Sequence, residues 1–289
     1  MCKLWAMKRV FVIAGPTASG KSHLALQMAE HLHGEIINAD SLQVYRDVPL
    51  LTAQPTDEDK QQAPHHLYAY LGAAEKENCF DWLQRALNVV KNTDTPIFVG
   101  GTGLYLKALT EGLSSLPPIP DELRAQVRHM PLDDVLARLP AECPRDPQRA
   151  RRALEVFLAS GHWPSYFHKQ PRNPALRADF YTIFIDPDRK TLYQRIDTRF
   201  QHMVEQGALQ QVRDLLKANP LKTGGVFQAL GVKELTKVIE QGADLKDACA
   251  RAAQATRHYA KRQLTWFRHQ MTFQKIIEKS DISEIKKYL

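Results

Sequence analysis

Nowhere in the 289 residues do apolar side chains run on for the ~18 positions that a membrane-spanning helix requires, so no membrane partner is expected. Cysteine is scarce. Cys2, Cys79, Cys143 and Cys249 lie far apart with no C-x-x-C pair, and no histidines stand at finger spacing. That excludes a disulfide framework and a structural zinc site, and isolated thiols point to the cytoplasm. A secretory leader is missing too: the apolar run Val10–Ala14 leads straight into a glycine loop, and Met7 is an alternative start to Met1. There is no internal repeat and no low-complexity tract. With 44% hydrophobic and 25% charged residues, a packed core is expected and wholesale disorder is excluded. Acids are outnumbered 32 to 39 by Lys and Arg, a net charge of +7 that favours a polyanionic partner without proving one.

Val10-Phe-Val-Ile-Ala14 is a β-branched run of the buried, parallel-strand kind. After the glycine loop, Leu24, Met28 and Leu32 repeat at helical spacing through Lys21–Leu32. Glu35–Ala39 reads as a second strand ending at Asp40, Phe80–Val90 as a helix, Pro96–Gly100 as a strand and Gly103–Leu113 as a helix. Such alternation implies right-handed crossovers and a parallel sheet. Leu116-Pro-Pro-Ile-Pro120 interrupts it, because proline cannot continue a helix and stiffens its neighbours. From Asp121 to about Ala178 the chain reads as helices separated by prolines. Phe180–Ile185 then restores a strand, and helices are expected to the end. The predicted fold is α/β: a P-loop-type parallel sheet core flanked by helices (residues 1–115 and 179–289), carrying an all-helical insertion domain (116–178).

Gly15-Pro16-Thr17-Ala18-Ser19-Gly20-Lys21-Ser22 matches G-x-x-x-x-G-K-[ST], with a strand before it and a helix after it. Glycines let backbone N–H groups wrap an anion, and the helix N-terminus adds its positive dipole end. Lys21 neutralises terminal phosphate charge, and the Ser22 hydroxyl can ligate Mg²⁺. Kinases, other nucleotide-binding enzymes that use ATP, and transferases share this loop, so it does not name the phosphate compound. Asp40 closes the second strand and should face the same crevice, where a carboxylate can order Mg²⁺, accept a proton or simply cap a turn. Thr102, in Gly100-Gly-Thr-Gly-Leu-Tyr105, ends another strand and offers one hydroxyl to a bound base or to ordinary turn chemistry.

Together with Asp40-Ser-Leu-Gln-Val-Tyr45, Ala63-Pro-His-His-Leu67, Asp146-Pro-Gln-Arg-Ala-Arg-Arg152, Leu230-Gly-Val-Lys-Glu-Leu235 and Ala260-Lys-Arg-Gln-Leu-Thr-Trp-Phe-Arg268, these segments resemble the tRNA dimethylallyltransferases of bacterial type. The resemblance implies transfer of a dimethylallyl group from dimethylallyl diphosphate to N6 of adenosine 37 in the tRNA anticodon stem-loop, by a monomer using Mg²⁺. It implies that Asp40 is the general base, Thr102 a contact to the target nucleotide and Gly15–Ser22 the diphosphate site. It assigns tRNA contacts to Asp40, Ser41, Leu42, Gln43, Thr102 and Arg124, to Gln148, Arg149, Ala150, Arg151 and Arg152, and to His258, Tyr259, Ala260, Lys261, Arg262 and Gln263. The alternatives are an adenylate isopentenyltransferase, a small-molecule P-loop kinase and a non-catalytic RNA-binding module.

Between Asp247 and Glu278 there is no acid, while Arg251, Arg257, Lys261, Arg262, Arg268 and Lys275 fall there. On a helix the bases from Arg251 to Arg268 sit roughly 60° to 200° round from the apolar stripe Ala260, Leu264, Phe267 and Met271, at ~100° per residue. The alternative is a solvated face, but surface helices usually mix signs. Arg145, Arg149, Arg151 and Arg152 suit forked phosphate recognition, or ion pairs with Asp146 and Glu155. Three departures stand out: a short insertion, Gln228 where some family members carry arginine, and no C-terminal zinc finger.

Overall fold

The computed structural model describes residues 7–172 and 174–288, which form two compact units: one from the segments up to Thr110 and from Leu176 onward, the other Glu111–Ala175. In the first unit the chain runs β1 (Arg9–Ala14), α1 (Lys21–Leu32), β2 (Glu35–Asn38), α2 (Pro49–Thr52), α3 (Asp57–Gln62), β3 (His65–His66), α4 (Cys79–Lys91), β4 (Pro96–Gly100) and α5 (Gly103–Glu111). The second unit holds α6 (Asp121–His129), α7 (Leu132–Arg138), α8 (Pro147–Ser160) and α9 (Pro164–His168). The chain then completes the first with β5 (Asp179–Ile185), α10 (Arg189–Glu205), α11 (Ala208–Ala218), α12 (Val232–Gln241), α13 (Leu245–Gln270) and β6 (Lys275–Ile277).

The six strands are all parallel, in the order β3-β2-β4-β1-β5-β6. This is the parallel α/β core that the strand–helix alternation predicts. Two strands escaped the sequence reading. β3 and β6 are two and three residues long, too short to show a period, and β6 corrects the expectation of helices to the end.

Because β1 lies between β4 and β5, the chain leaves it toward one edge of the sheet and later returns to its other side. Ligands in open α/β sheets bind at such a switch point, outside the strands' carboxyl ends. On one sheet face Leu24, Met28 and Ala29 of α1 pack on Phe11, Ile13, Ile97 and Ile183. Trp82 of α4 is fully buried, stacks on Tyr105 at 4.3 Å and donates its indole N–H to the Asn38 carbonyl at 3.0 Å. A buried aromatic of this kind is worth about 3–5 kcal/mol against truncation. Here it also pins the end of β2 two residues before Asp40. A second core joins Val44, Tyr45, Val48 and Leu51 to α10–α13 through Phe200, Val212, Val232 and Leu235.

The second unit has its own small core of Val127, Val135, Leu139, Ala150, Ala153 and Leu154. Trp163 stacks on Phe157 at 4.2 Å, a packing role rather than a platform for a base.

Candidate active site

The phosphate loop hangs from the carboxyl end of β1. Gly20 caps α1 at φ 91°, a left-handed conformation natural to glycine, and no side chain caps this helix end. The first-turn N–H groups therefore have no intrahelical partner and point at the loop's centre. Ala18 is also left-handed, at φ 62°, which costs an L-residue about 1–2 kcal/mol. Alternating hand along successive residues turns amides inward into an anion-binding nest. Among the described residues, the buried Ser19 hydroxyl oxygen has no hydrogen-bond partner.

A cavity of about 780 Å³ opens at this end of the sheet, lined among others by Thr17, Ala18, Gly20, Lys21, Ser22, Asp40, Gln43, Leu50 and Arg199. Burial pushes the Lys21 ammonium down to about 8, against the pull of Asp40 and with help from the repulsion of Arg199. Its Nζ donates to the loop's own Pro16 carbonyl at 2.7 Å. Asp40 is held by its neighbours: its N–H donates to Asn38 Oδ1 at 2.8 Å, and its Oδ1 accepts from the Leu42 N–H at 3.0 Å. The second carboxylate oxygen has no hydrogen-bond donor among the described residues.

Thr102 is committed to positioning. Its Oγ1 accepts from the Ser41 N–H at 2.9 Å and donates to Ser41 Oγ at 3.2 Å, which leaves one lone pair for a ligand. Gln43 spends both amide hydrogens on the Thr52 and Ala53 carbonyls and presents only its oxygen. Leu42 packs toward the second core.

For a divalent cation, the cavity offers the exposed Ser22 hydroxyl and the Asp40 carboxylate, oxygen donors only. No group of three His, Cys, Asp or Glu side chains gathers anywhere among the described residues. So sparse and hard a donor set fits Mg²⁺, which keeps several waters and shares its remaining positions with substrate phosphates.

The surroundings of the expected contacts differ. Ala150 and Ala260 have fully buried side chains. Gln263 is 5% exposed, and it works inside the protein: its Oε1 accepts from the Thr17 N–H at 2.9 Å, and its Nε2 donates to the Gly101 carbonyl at 2.9 Å. It therefore bolts α13 to the phosphate loop and to the end of β4, and the Thr17 amide is not free for a phosphate. Pro16 has no N–H to offer a phosphate; its carbonyl accepts from the Lys21 Nζ. Arg151 donates to the Val127 and Met130 carbonyls, a clamp on the end of α6. Arg152 pairs with Glu155 at 3.2 Å and Arg149 with Asp146 at 3.7 Å, the ion-pair alternative of the sequence reading. Arg124 pairs with Asp121 at 3.7 Å, and Gln148 is exposed.

The basic face of α13 is only partly free of acids. Arg257 bonds Asp197, and Arg268 makes a two-pronged pair with Asp186 at 3.0 and 2.7 Å. These acids come from other elements and could not be seen in the local sequence. Lys261 and Arg262 are exposed and, among the described residues, have no acidic partner. With His258, Thr265 and Trp266 they line an open groove, and Arg262 lies over the half-buried Tyr259 ring at 5.7 Å.

With this geometry, comparison with known proteins is decisive. The IPP transferase family model matches residues 43–270, most of the chain. The chain belongs to the IPP transferase family. The chain is 42% identical over 283 residues to the tRNA dimethylallyltransferase of Rhodopseudomonas palustris strain BisA53, covering 91% of this chain and 86% of that one. It is 43% identical over 280 residues to the enzyme of that name from Beijerinckia indica, covering 90% and 92%. Among solved structures, a eukaryotic dimethylallyltransferase acting on tRNA superposes with TM-score 0.81 at 26% identity, over 97% of this chain and 77% of that one. A Staphylococcus epidermidis tRNA isopentenylpyrophosphate transferase gives 0.71 at 30% identity, over 97% and 96%. These matches favour the transferase reading over a kinase or an adenylate-specific enzyme. Among the described residues, no helix is long and apolar enough to cross a membrane.

Proposed function

We propose that the chain transfers a dimethylallyl group from dimethylallyl diphosphate to N6 of adenosine 37 in the anticodon stem-loop of tRNA. The observation that carries this reading is the shared cavity in which the Lys21 ammonium and the Asp40 carboxylate both stand, one at the end of β1 and the other past β2. Adenine N6 is a weak nucleophile, since its lone pair is delocalised into the ring. An allylic carbon compensates by developing cationic character as its diphosphate departs. The N6 lone pair forms the new bond to C1, the C1–O bond breaks with its electron pair leaving on pyrophosphate, and the N6 proton passes to Asp40. Loop amides and Lys21 stabilise the departing charge. Ser22 and Asp40 would hold a Mg²⁺ ion, which supplies further charge neutralisation when bound. The target base must leave its stack to reach this cavity, and Thr102 offers it one acceptor. Free thiols on Cys79, Cys143 and Cys249 support a cytoplasmic setting.

The test is direct: protein, Mg²⁺ and labelled dimethylallyl diphosphate are incubated with unmodified tRNA or with AMP. Prenylated adenosine should form in the tRNA alone. Prenylation of AMP as efficient as that of tRNA would favour the adenylate enzyme, and no product at all would defeat both.

The tRNA backbone is best placed on the α13 groove, because Lys261 and Arg262 are the bases there without acids. The Lys261→Ala/Arg262→Ala double variant should raise the tRNA KM about tenfold at moderate salt. It should also lower the slope of log affinity against log salt by about 1 to 2, one released counterion per lost phosphate contact. The KM for dimethylallyl diphosphate should not move. Unchanged tRNA affinity across a salt titration would remove the groove from the interface.

A further inference from the structure

We infer that Ser280, on the segment that follows β6, is a positioning residue for the phosphate loop, bracing Gly20 so that the loop amides stand ready for a diphosphate. The inference rests on the proposed prenyl transfer for the identity of the anion, and adds to it a residue outside the cavity. A Cβ built on Gly20 would come within 2.7 Å of Ser280 Cβ and nearer still to its Oγ. Ser280 therefore sits directly on the glycine that caps α1. Gly20 lines the cavity and Ser280 does not, so the contact comes from outside it. Ser280 makes no hydrogen bond among the described residues, which leaves packing as the interaction. The segment that carries it is fixed at both ends. On one side β6 pairs with β5, Ile277 is buried, and its carbonyl accepts the Asp186 N–H at 2.8 Å. On the other side the Ile282 N–H donates to Gln27 Oε1 of α1 at 3.2 Å, and Ile285 is fully buried in the core that holds Leu24 and Ala25. Across so short a span Ser280 cannot drift away from the start of α1.

The loop needs such a brace at this residue. Its inward-pointing amides depend on Gly20 holding φ 91°, and a glycine loses more backbone freedom on being fixed than any other residue. Elsewhere the loop is already held. Thr17 donates to Gln263 at 2.9 Å, and Gly15 backs on β5, where an added Cβ would meet the Ile185 carbonyl at 3.1 Å. At Gly20 the Ser280 side chain supplies the only non-neighbouring atoms within 4 Å of the space a side chain would fill. Occupying that space narrows the range that Gly20 can sample. Donors ordered beforehand bind an anion without first having to be ordered by it. Fixing one residue's backbone corresponds to roughly five- to thirtyfold in affinity, and a neighbour that restricts it in part to about three- to tenfold.

The experiment compares Ser280→Gly, Ser280→Ala and Ser280→Leu in the full chain, with melting temperatures confirming the fold. Inorganic diphosphate with Mg²⁺ is titrated calorimetrically into each protein, with and without unmodified tRNA, and KM is measured for both substrates. Ser280→Gly removes both atoms that touch Gly20. It should weaken inorganic diphosphate, and raise the KM for dimethylallyl diphosphate, by about three- to tenfold. Ser280→Ala keeps the Cβ contact and should stay within about twofold of wild type. Ser280→Leu forces the glycine aside and should lose roughly thirtyfold or more; where it fails to fold, the Gly and Ala variants decide. The tRNA KM should stay within about twofold in every folded variant. Unchanged diphosphate affinity in a folded Ser280→Gly protein overturns the inference. So does a Ser280→Ala protein as weak as Ser280→Gly, which would make the hydroxyl a ligand, and so do equal losses for diphosphate and tRNA, which would mark a general loosening of the fold. If inorganic diphosphate responds to Ser280 as expected but the wild-type protein prenylates no tRNA, the brace stands and the proposed function falls.

Discussion

Asp40→Asn should slow prenyl transfer by roughly two to four orders of magnitude, the usual worth of a positioned general base, while tRNA affinity stays within a few-fold. Asparagine is the informative replacement. It keeps the oxygen that accepts the Leu42 N–H at 3.0 Å, so the turn after β2 survives. What disappears is the charge that takes the N6 proton. Single-turnover kinetics with tRNA in excess would isolate the chemical step from product release. The variant also separates two roles for the carboxylate. As a base, its loss leaves Lys21 and Arg199 less compensated, and inorganic diphosphate should bind at least as tightly as before. As chiefly a Mg²⁺ ligand, its loss should weaken Mg²⁺–diphosphate in proportion to the rate. A variant retaining more than a tenth of the wild-type rate would end the general-base assignment.

Removing the loop ammonium should be nearly as damaging. Lys21→Met is expected to weaken dimethylallyl diphosphate by about a hundredfold or more, since a desolvated charge-assisted contact to phosphate is lost. The wild-type protein should meanwhile show a pH signature that the variant lacks. In the free protein Lys21 is held down to about 8 by burial. Below that pH the ammonium is present and affinity is full. Above it the free protein must gain a proton in order to bind, so affinity for the fully ionised allylic diphosphate should fall by up to tenfold per pH unit. Folding stability moves in the opposite sense. Between about 8 and the ordinary 10.5 the unfolded chain holds the proton more firmly, so ligand-free stability rises with pH through that window. A pH-independent affinity between 7 and 9.5 would show that the ammonium does not meet the diphosphate.

Much of this site could be read directly. A β-branched run, a glycine loop and an amphipathic helix in succession place Lys21 and Ser22. Asp40 follows from the end of the next strand, because side chains there converge on one edge of a parallel sheet. What could not be read were residues whose role depends on which element lies opposite. Gln263 sits among bases in Ala260-Lys-Arg-Gln263 and reads as one more polar contact, yet it faces inward to Thr17 and Gly101. Arg199 sits in a charged helical stretch with nothing local to mark it as cavity-facing. The bases of α13 mislead in the other direction, since Asp186 and Asp197 reach two of them from β5's end and α10. Local periodicity tells which face of a helix is apolar; it carries no information about the charge of a neighbour 60 or 82 residues away.

The bond from Gln263 to the Thr17 amide spans 246 positions of chain. Such a link has a consequence for biosynthesis. The loop leaves the ribosome 246 residues before the residue that fixes its shape. At roughly 5–20 residues per second, the interval is on the order of ten to fifty seconds. Until Asp179–Ile185 emerge, β1 also lacks β5, its neighbour on one side, which lies beyond the helical insertion. The nascent β1–α5 segment therefore carries an unfinished nest and an open strand edge, and competence to hold a polyphosphate arrives only with α13.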